Sequence, residues 1–154
     1  MAKSGWQDVL RNHFDNVKVL EKSKGETVNQ FNQFCEFIVE PAFENLADEL
    51  ASYGVKARHR TYKGRDTRLI VNFARSRDPQ FEYRISLPRN AVEVRPALLI
   101  RGRRNLKSEY KTVEKSFMPT RSSAEILKLD KEDIILDVIE HYRNFIYESL
   151  TSPD

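Results

Sequence analysis

Val55-Lys56-Ala57-Arg58-His59-Arg60-Thr61-Tyr62 runs into Lys63-Gly64-Arg65-Asp66, then into Thr67-Arg68-Leu69-Ile70-Val71-Asn72-Phe73-Ala74-Arg75. In the first run Lys56, Arg58 and Arg60 alternate with Val55, Ala57 and His59. In the third, Leu69, Val71 and Phe73 share one side. A period of two is the signature of a strand with one wet and one dry face. The Gly-containing tetrapeptide between the runs is a hairpin turn candidate. The pattern continues beyond Arg77-Asp78-Pro79-Gln80, another turn: Phe81, Tyr83, Ile85 and Leu87 alternate with Glu82, Arg84 and Ser86. Val94–Arg103 is a fourth strand candidate. Its Ala97-Leu98-Leu99-Ile100 core is apolar on both faces, so its orientation is open, and Pro96 suits a strand start or an edge. Ser108–Phe117 is a weaker fifth candidate. Turns this closely spaced favour an antiparallel meander over crossover connections.

Helical periodicity flanks this block. Trp6, Val9, Leu10, Phe14, Val17 and Leu20 recur on one helical face, with Ser4 and Gln7 spaced as a capping box. Glu21–Thr27 is polar and contains Gly25, a stop signal, so a second helix is expected from Thr27, capped with Gln30, to Tyr53. Pro41 inside it removes a backbone donor and predicts a kink, or a split into two helices, near Val39–Glu40, and Gly54 marks the end. Asp130 starts a last helix. Ile134, Ile135, Val138, Ile139, Tyr142, Phe145, Ile146 and Leu150 gather on half of its wheel.

The expected fold is α+β: a four- to five-stranded antiparallel meander with two N-terminal helices and one C-terminal helix packed on one face. The 154 residues divide into a helical segment over 1–54, a basic sheet over 55–117 and a C-terminal helical segment over 122–150, one compact domain (1–154). Leu69, Val71, Phe73, Tyr83 and Ile85 should pack against Ile38, Leu46, Val138, Tyr142 and Phe145. Two packed helices span roughly the width of three or four strands at ~4.8 Å spacing, so the first helix should lie outside the layer or against a second subunit.

Charge is distributed unevenly over this plan. Residues 55–107 hold 15 Lys/Arg against 4 Asp/Glu, whereas residues 1–54 hold 5 against 9 and residues 108–154 hold 6 against 10. A net charge of only +3 thus hides an acid–base–acid pattern. Alternation puts Lys56, Arg58, Arg60, Tyr62, Arg68, Asn72 and Arg84 on the face away from the helices, with Arg95 and Arg101 as further candidates. Arg103 and Arg104 follow in a basic stretch, and Lys63, Arg65, Arg75, Arg77 and Arg89 occupy turns. Such a face suits a phosphate backbone, most simply that of nucleic acid, because cations that neutralise phosphates release counterions. Arg supplies 12 of those 15 cations and binds phosphate bidentately. Only Tyr62 among the aromatics shares the face, so backbone contact fits better than base stacking.

Two other readings fit the same charge: an acidic protein partner, or a solvated face whose charge discourages edge aggregation. The acidic row Glu36, Glu40, Glu44 and Asp48 lies in a helix without Lys or Arg. It is either a solvated face or a docking strip for a basic surface, such as the sheet of a second copy. A homodimer would be anchored by Trp6 and Phe14. Asp133, Asp137 and Glu140 need no metal, because acidic residues suit a helix start. One cysteine excludes an internal disulfide and any site of several thiolates, and Cys35 sits among Phe31, Phe34 and Ile38 as a small hydrophobe. The sequence contains no phosphate-binding glycine loop, dinucleotide fingerprint, nucleophile elbow or zinc-protease motif. No catalytic residue, metal or cofactor is therefore assigned. No run approaches the ~20 apolar residues of a membrane span, and the first residues lack the apolar stretch of a signal peptide. The expected compartment is the cytoplasm.

Overall fold

The computed structural model describes residues 5–151. Helix α1 (Gly5–Phe34) leads through a π-helical turn (Cys35–Val39) into α2 (Glu40–Ala51). Strands β1 (Ala57–Tyr62), β2 (Asp66–Asn72), β3 (Pro79–Ser86), β4 (Ala97–Gly102) and β5 (Lys111–Ser116) follow, then α3 (Ser123–Leu127) and α4 (Lys131–Thr151). The strands form one antiparallel sheet in chain order, with every neighbouring pair antiparallel. This is the expected α+β meander with its helices on one side.

The N-terminal helices differ from expectation. Gly25 does not end the first helix, which continues to Phe34. A glycine inside a helix costs only about 1 kcal/mol relative to alanine, and burial of Thr27, Phe31 and Phe34 anchors the following turns. Thr27 is therefore no cap. Its hydroxyl donates to the Ser23 carbonyl at 2.8 Å within the helix. The other expected capping residue, Ser4, lies outside the described residues.

Pro41 acts as expected, through a particular device. The helix widens into the π turn just before it, and the Glu40 amide donates to the Cys35 carbonyl five residues back. The wider turn precedes the one residue that cannot donate, and it buries Cys35 and Val39. Gly54, at φ +76°, ends the segment: its amide donates to the Ala51 carbonyl and that of Val55 to the Leu50 carbonyl.

One core joins the layers. Leu69, Val71, Phe81, Tyr83, Ile85 and Leu98 of the sheet pack with Phe31, Phe34, Val39, Phe43 and Leu46 and with Ile134 and Val138 of α4. Phe43 meets Tyr83 edge-on at 5.9 Å between ring centroids. Ile38, Tyr142 and Phe145 are partly buried against this cluster, as expected. Phe73 is the exception. The register shifts between Val71 and Asn72, β2 ends there, and the Phe73 ring leaves the core to lie 5.6 Å from the Arg103 guanidinium.

α4 starts with a reciprocal cap: the Asp133 amide donates to the Asp130 carboxylate and the Asp130 amide to that of Asp133. Its apolar half is not all inside, because Ile139 and Leu150 are exposed. The short α3 carries a Ser122–Glu125 capping box that periodicity does not reveal in a five-residue helix. The helical layer also stops short of the sheet edge, so all six residues of β5 remain exposed. Two helices therefore do not cover the full five-strand width.

Candidate nucleic-acid interface

The strand register sorts the basic residues onto one face. Arg60, Arg68 and Arg84 are direct cross-strand neighbours on β1, β2 and β3, and the same row continues through Leu99 to Glu114. The adjacent row is Arg58, Ile70, Glu82, Arg101 and Thr112. β4, ambiguous from its sequence, places Leu98 in the core and Leu99 and Arg101 on this outer face. At ~4.8 Å between strands, the three-arginine row spans about 10 Å.

Like charges directly opposite each other on a sheet repel. Two of these arginines are neutralised locally. The Arg68 Nε and Nη2 donate to Asp66 Oδ1 at 3.0 and 2.8 Å, and Arg84 pairs with Glu82 at 2.5 Å. Asp66 and Glu82 are themselves buried. An i,i+2 step along one strand keeps both partners of each pair on the same face.

Arg58, Arg60, Arg101, Arg103 and Arg104 have no carboxylate partner among the described residues. Arg58 donates to the Asn72 side chain at 3.5 Å. Arg60 donates to the Tyr62 hydroxyl at 3.2 Å, which pulls the Tyr62 phenol below its ordinary pKa. The Arg68 guanidinium lies 4.7 Å from the Tyr62 ring centroid. Tyr62 therefore holds cations in place on the face.

Arg101 and Arg103 form a second aromatic cluster. Their guanidiniums lie 4.0 and 4.6 Å from the Tyr110 ring centroid. Arg103 is further pinned by the Pro79 and Leu106 carbonyls at 3.3 and 3.2 Å. Tyr110 is absent from the sequence-derived set. Its only signal there was a weak strand candidate, because the contact spans the β4–β5 connection. Lys56 precedes β1 and is exposed, Arg104 is exposed in the β4–β5 turn, and Arg95 pairs with Glu93 outside the sheet. Lys63, Arg65, Arg75, Arg77 and Arg89 are exposed in turns, as expected.

The inner side of β5 borders a groove of about 730 Å³. Ile100, Val113 and Phe145 supply its apolar surface, Arg103, Arg104, Lys111 and Lys115 basic groups, and Glu109 and Glu148 carboxylates. His141 reaches its wall. Behind it the fully buried Tyr83 hydroxyl donates to Asp137 Oδ2 at 2.5 Å, and His141 Nδ1 donates to the Asp137 carbonyl at 2.8 Å. This tie joins the sheet to α4. Asp137 and His141 are one helical turn apart in sequence, whereas Tyr83 lies 54 residues from Asp137.

The possible interface residues are dispersed. Trp6 and Phe14 are exposed on α1, far along the chain from Glu36, Glu40 and Glu44. Glu36 and Glu44 are exposed, whereas Glu40 is half-buried where the π turn ends. No group of three or more His, Cys, Asp or Glu among the described residues could hold a metal ion. No described helix is long and apolar enough to cross a membrane.

Fold and face together define an α+β protein that presents an uncovered, arginine-rich antiparallel sheet. No family model, curated protein or solved structure matches this chain.

Proposed function

We propose that the protein is a non-enzymatic binding module that holds nucleic acid, or another polyanion, by its phosphate backbone against the outer sheet face. The observation that carries this reading is the placement of Arg58, Arg60 and Arg101, all without carboxylate partners among the described residues, on one sheet face that no described helix covers. Arg103, Arg104 and Lys56 extend it, while Arg68 and Arg84 act mainly through their Asp66 and Glu82 pairs. The aromatic rings favour backbone contact. Tyr62 and Tyr110 already carry guanidiniums, which leaves them less free to stack bases.

Fluorescence anisotropy with labelled single- and double-stranded DNA and RNA, across a salt series, tests this reading. Affinity should fall steeply with salt, and each of Arg58→Ala, Arg60→Ala and Arg101→Ala should reduce the salt slope by about 1. Arg68→Ala and Arg84→Ala should change it less. Absence of binding at low salt, or binding unchanged in the triple variant, overturns the proposal.

A second reading is a protein-interaction module. The exposed apolar residues of α1, Trp6 and Phe14 among them, favour it.

A further inference from the structure

None of residues 5–22 of α1 is buried, although Trp6 is 67% and Phe14 59% exposed and both are large and apolar. This part of the helix is an arm that leaves the core. Its apolar side has a specific period. Trp6, Leu10, His13, Val17, Leu20, Lys24, Thr27, Phe31 and Phe34 follow one another at alternating steps of four and three residues. That is the seam of a two-helix supercoil. The last three of these are buried in the chain's own core, while Trp6, Leu10, His13 and Leu20 remain exposed. One continuous stripe thus begins outside the molecule and ends inside it.

The arm lacks the means to stand alone. An isolated helix of this length is marginal in water, and the arm's ion pair, Asp8–Arg11, is exposed. Its charges indicate what covers it. Residues 5–22 carry Arg11, Lys18 and Lys22 against Asp8, Asp15 and Glu21 and are neutral in sum. All but Glu21 fall at heptad positions pointing away from the seam. The arm therefore complements neither a polyanion nor a strongly charged protein. A second copy brings the same stripe, which from Trp6 to Leu20 is apolar except at His13.

We propose that two copies pair through their arms in antiparallel orientation. A parallel, in-register pair would stack Lys24 on Lys24 and His13 on His13 within the seam. The antiparallel overlap from Trp6 to Lys24 instead sets Leu10 against Leu20 and Val17 against His13. It lays each indole beside the half-buried Lys24, whose ammonium donates to the Asn90 side chain of its own chain at 3.4 Å and keeps its charge for the ring. The overlap is about 28 Å long at 1.5 Å per residue. Two Trp6 and two Phe14 rings, with the Leu and Val pairs, bring the contact to on the order of 1,000 Å², the lower range of specific interfaces. The pairing is independent of the polyanion reading.

Sedimentation equilibrium on the full chain tests the pairing. The expected mass is twice the 18.1 kDa of one chain, falling on dilution, and emission of the single Trp should shift to the blue on association. Leu10→Glu with Val17→Glu should restore the single-chain mass while circular dichroism shows the sheet intact. Orientation is read by cross-linking under mild oxidation, with Cys35 buried and out of reach. Leu10→Cys with Leu20→Cys should form covalent dimers, and Leu10→Cys alone should not. A wild-type chain that is monomeric throughout, or a double-Glu variant that stays dimeric, overturns the pairing. Efficient cross-linking of Leu10→Cys alone overturns the antiparallel arrangement.

Discussion

The ring of Phe145 occupies the space that a side chain at position 102 would need: a β-carbon on Gly102 would lie 2.4 Å from Phe145 Cε1 and 2.7 Å from its Cζ. α4 meets β4 at this point, and Phe145 also rests on Phe81 at 5.5 Å between ring centroids. The glycine is required by the approach of the ring. Its φ does not lie in the left-handed range, unlike those of Gly54 and Gly64.

Gly102→Ala should therefore destabilise the fold by about 1–3 kcal/mol, the usual cost of overpacking. Urea unfolding measures this as a lowered midpoint. Phe145→Leu in the same chain should recover part of the loss, giving a coupling in a double-mutant cycle. Equal and additive losses would mean that the two positions do not compete for space.

Tyr83→Phe removes the donor to Asp137 and should cost about 1.5–3 kcal/mol, the range for a hydrogen bond to a charged group. Burial, then the Asp137 charge, holds the Tyr83 phenol well above its ordinary pKa of 10.0. The Cys35 thiol is likewise raised from 9.0, mainly by burial. For both groups the folded state keeps a proton that the unfolded chain releases. Their contribution is complete below the unfolded pKa and declines as pH rises beyond it. Stability should thus begin to fall above about pH 8.5–9 through Cys35 and more steeply above pH ~10 through Tyr83. Denaturant midpoints at increasing pH test this, with Tyr83→Phe flattening the upper part of the profile.

Arg68 and Arg60 are opposed in one row but should respond differently to truncation. Arg68→Ala strips the buried Asp66 of two N–H donors and should cost about 1–3 kcal/mol. Arg60→Ala removes an exposed side chain bonded to Tyr62 and should fall within about 0.5 kcal/mol. Thermal unfolding of the two variants separates them.

Gly25→Ala should stabilise α1 by about 0.5–1 kcal/mol, because nothing lies within 4 Å of the added β-carbon and the backbone is helical. Amide exchange should slow in residues on both sides of position 25. Faster exchange there would show that a helical break at Gly25 is the preferred state.

The β1–β3 face assignments were legible because alternation is a local property. Each side chain points opposite to its neighbours whatever the strand packs against, so Arg58, Arg60, Arg68 and Arg84 could be separated from Leu69, Val71, Tyr83 and Ile85. Phe73 escaped this logic only because a bulge ended the alternation one residue earlier.

The chain's sequence by itself determined the α+β plan, the basic outer face and the start of α4 at Asp130, since each rests on periodicity or on contacts a few residues apart. The tertiary structure decided the rest. Gly25 marks a local preference to stop, but packing of Phe31 and Phe34 outweighs a cost of about 1 kcal/mol and carries the helix through. Leu98 and Leu99 are equally apolar, so only pairing with β3 selects which one enters the core. The Tyr110 clamp on Arg101 and Arg103, and the contact of Phe145 with Gly102, depend on where separate segments meet. A single sequence carries no local periodicity for such meetings, because their energy arises only once the layers have packed.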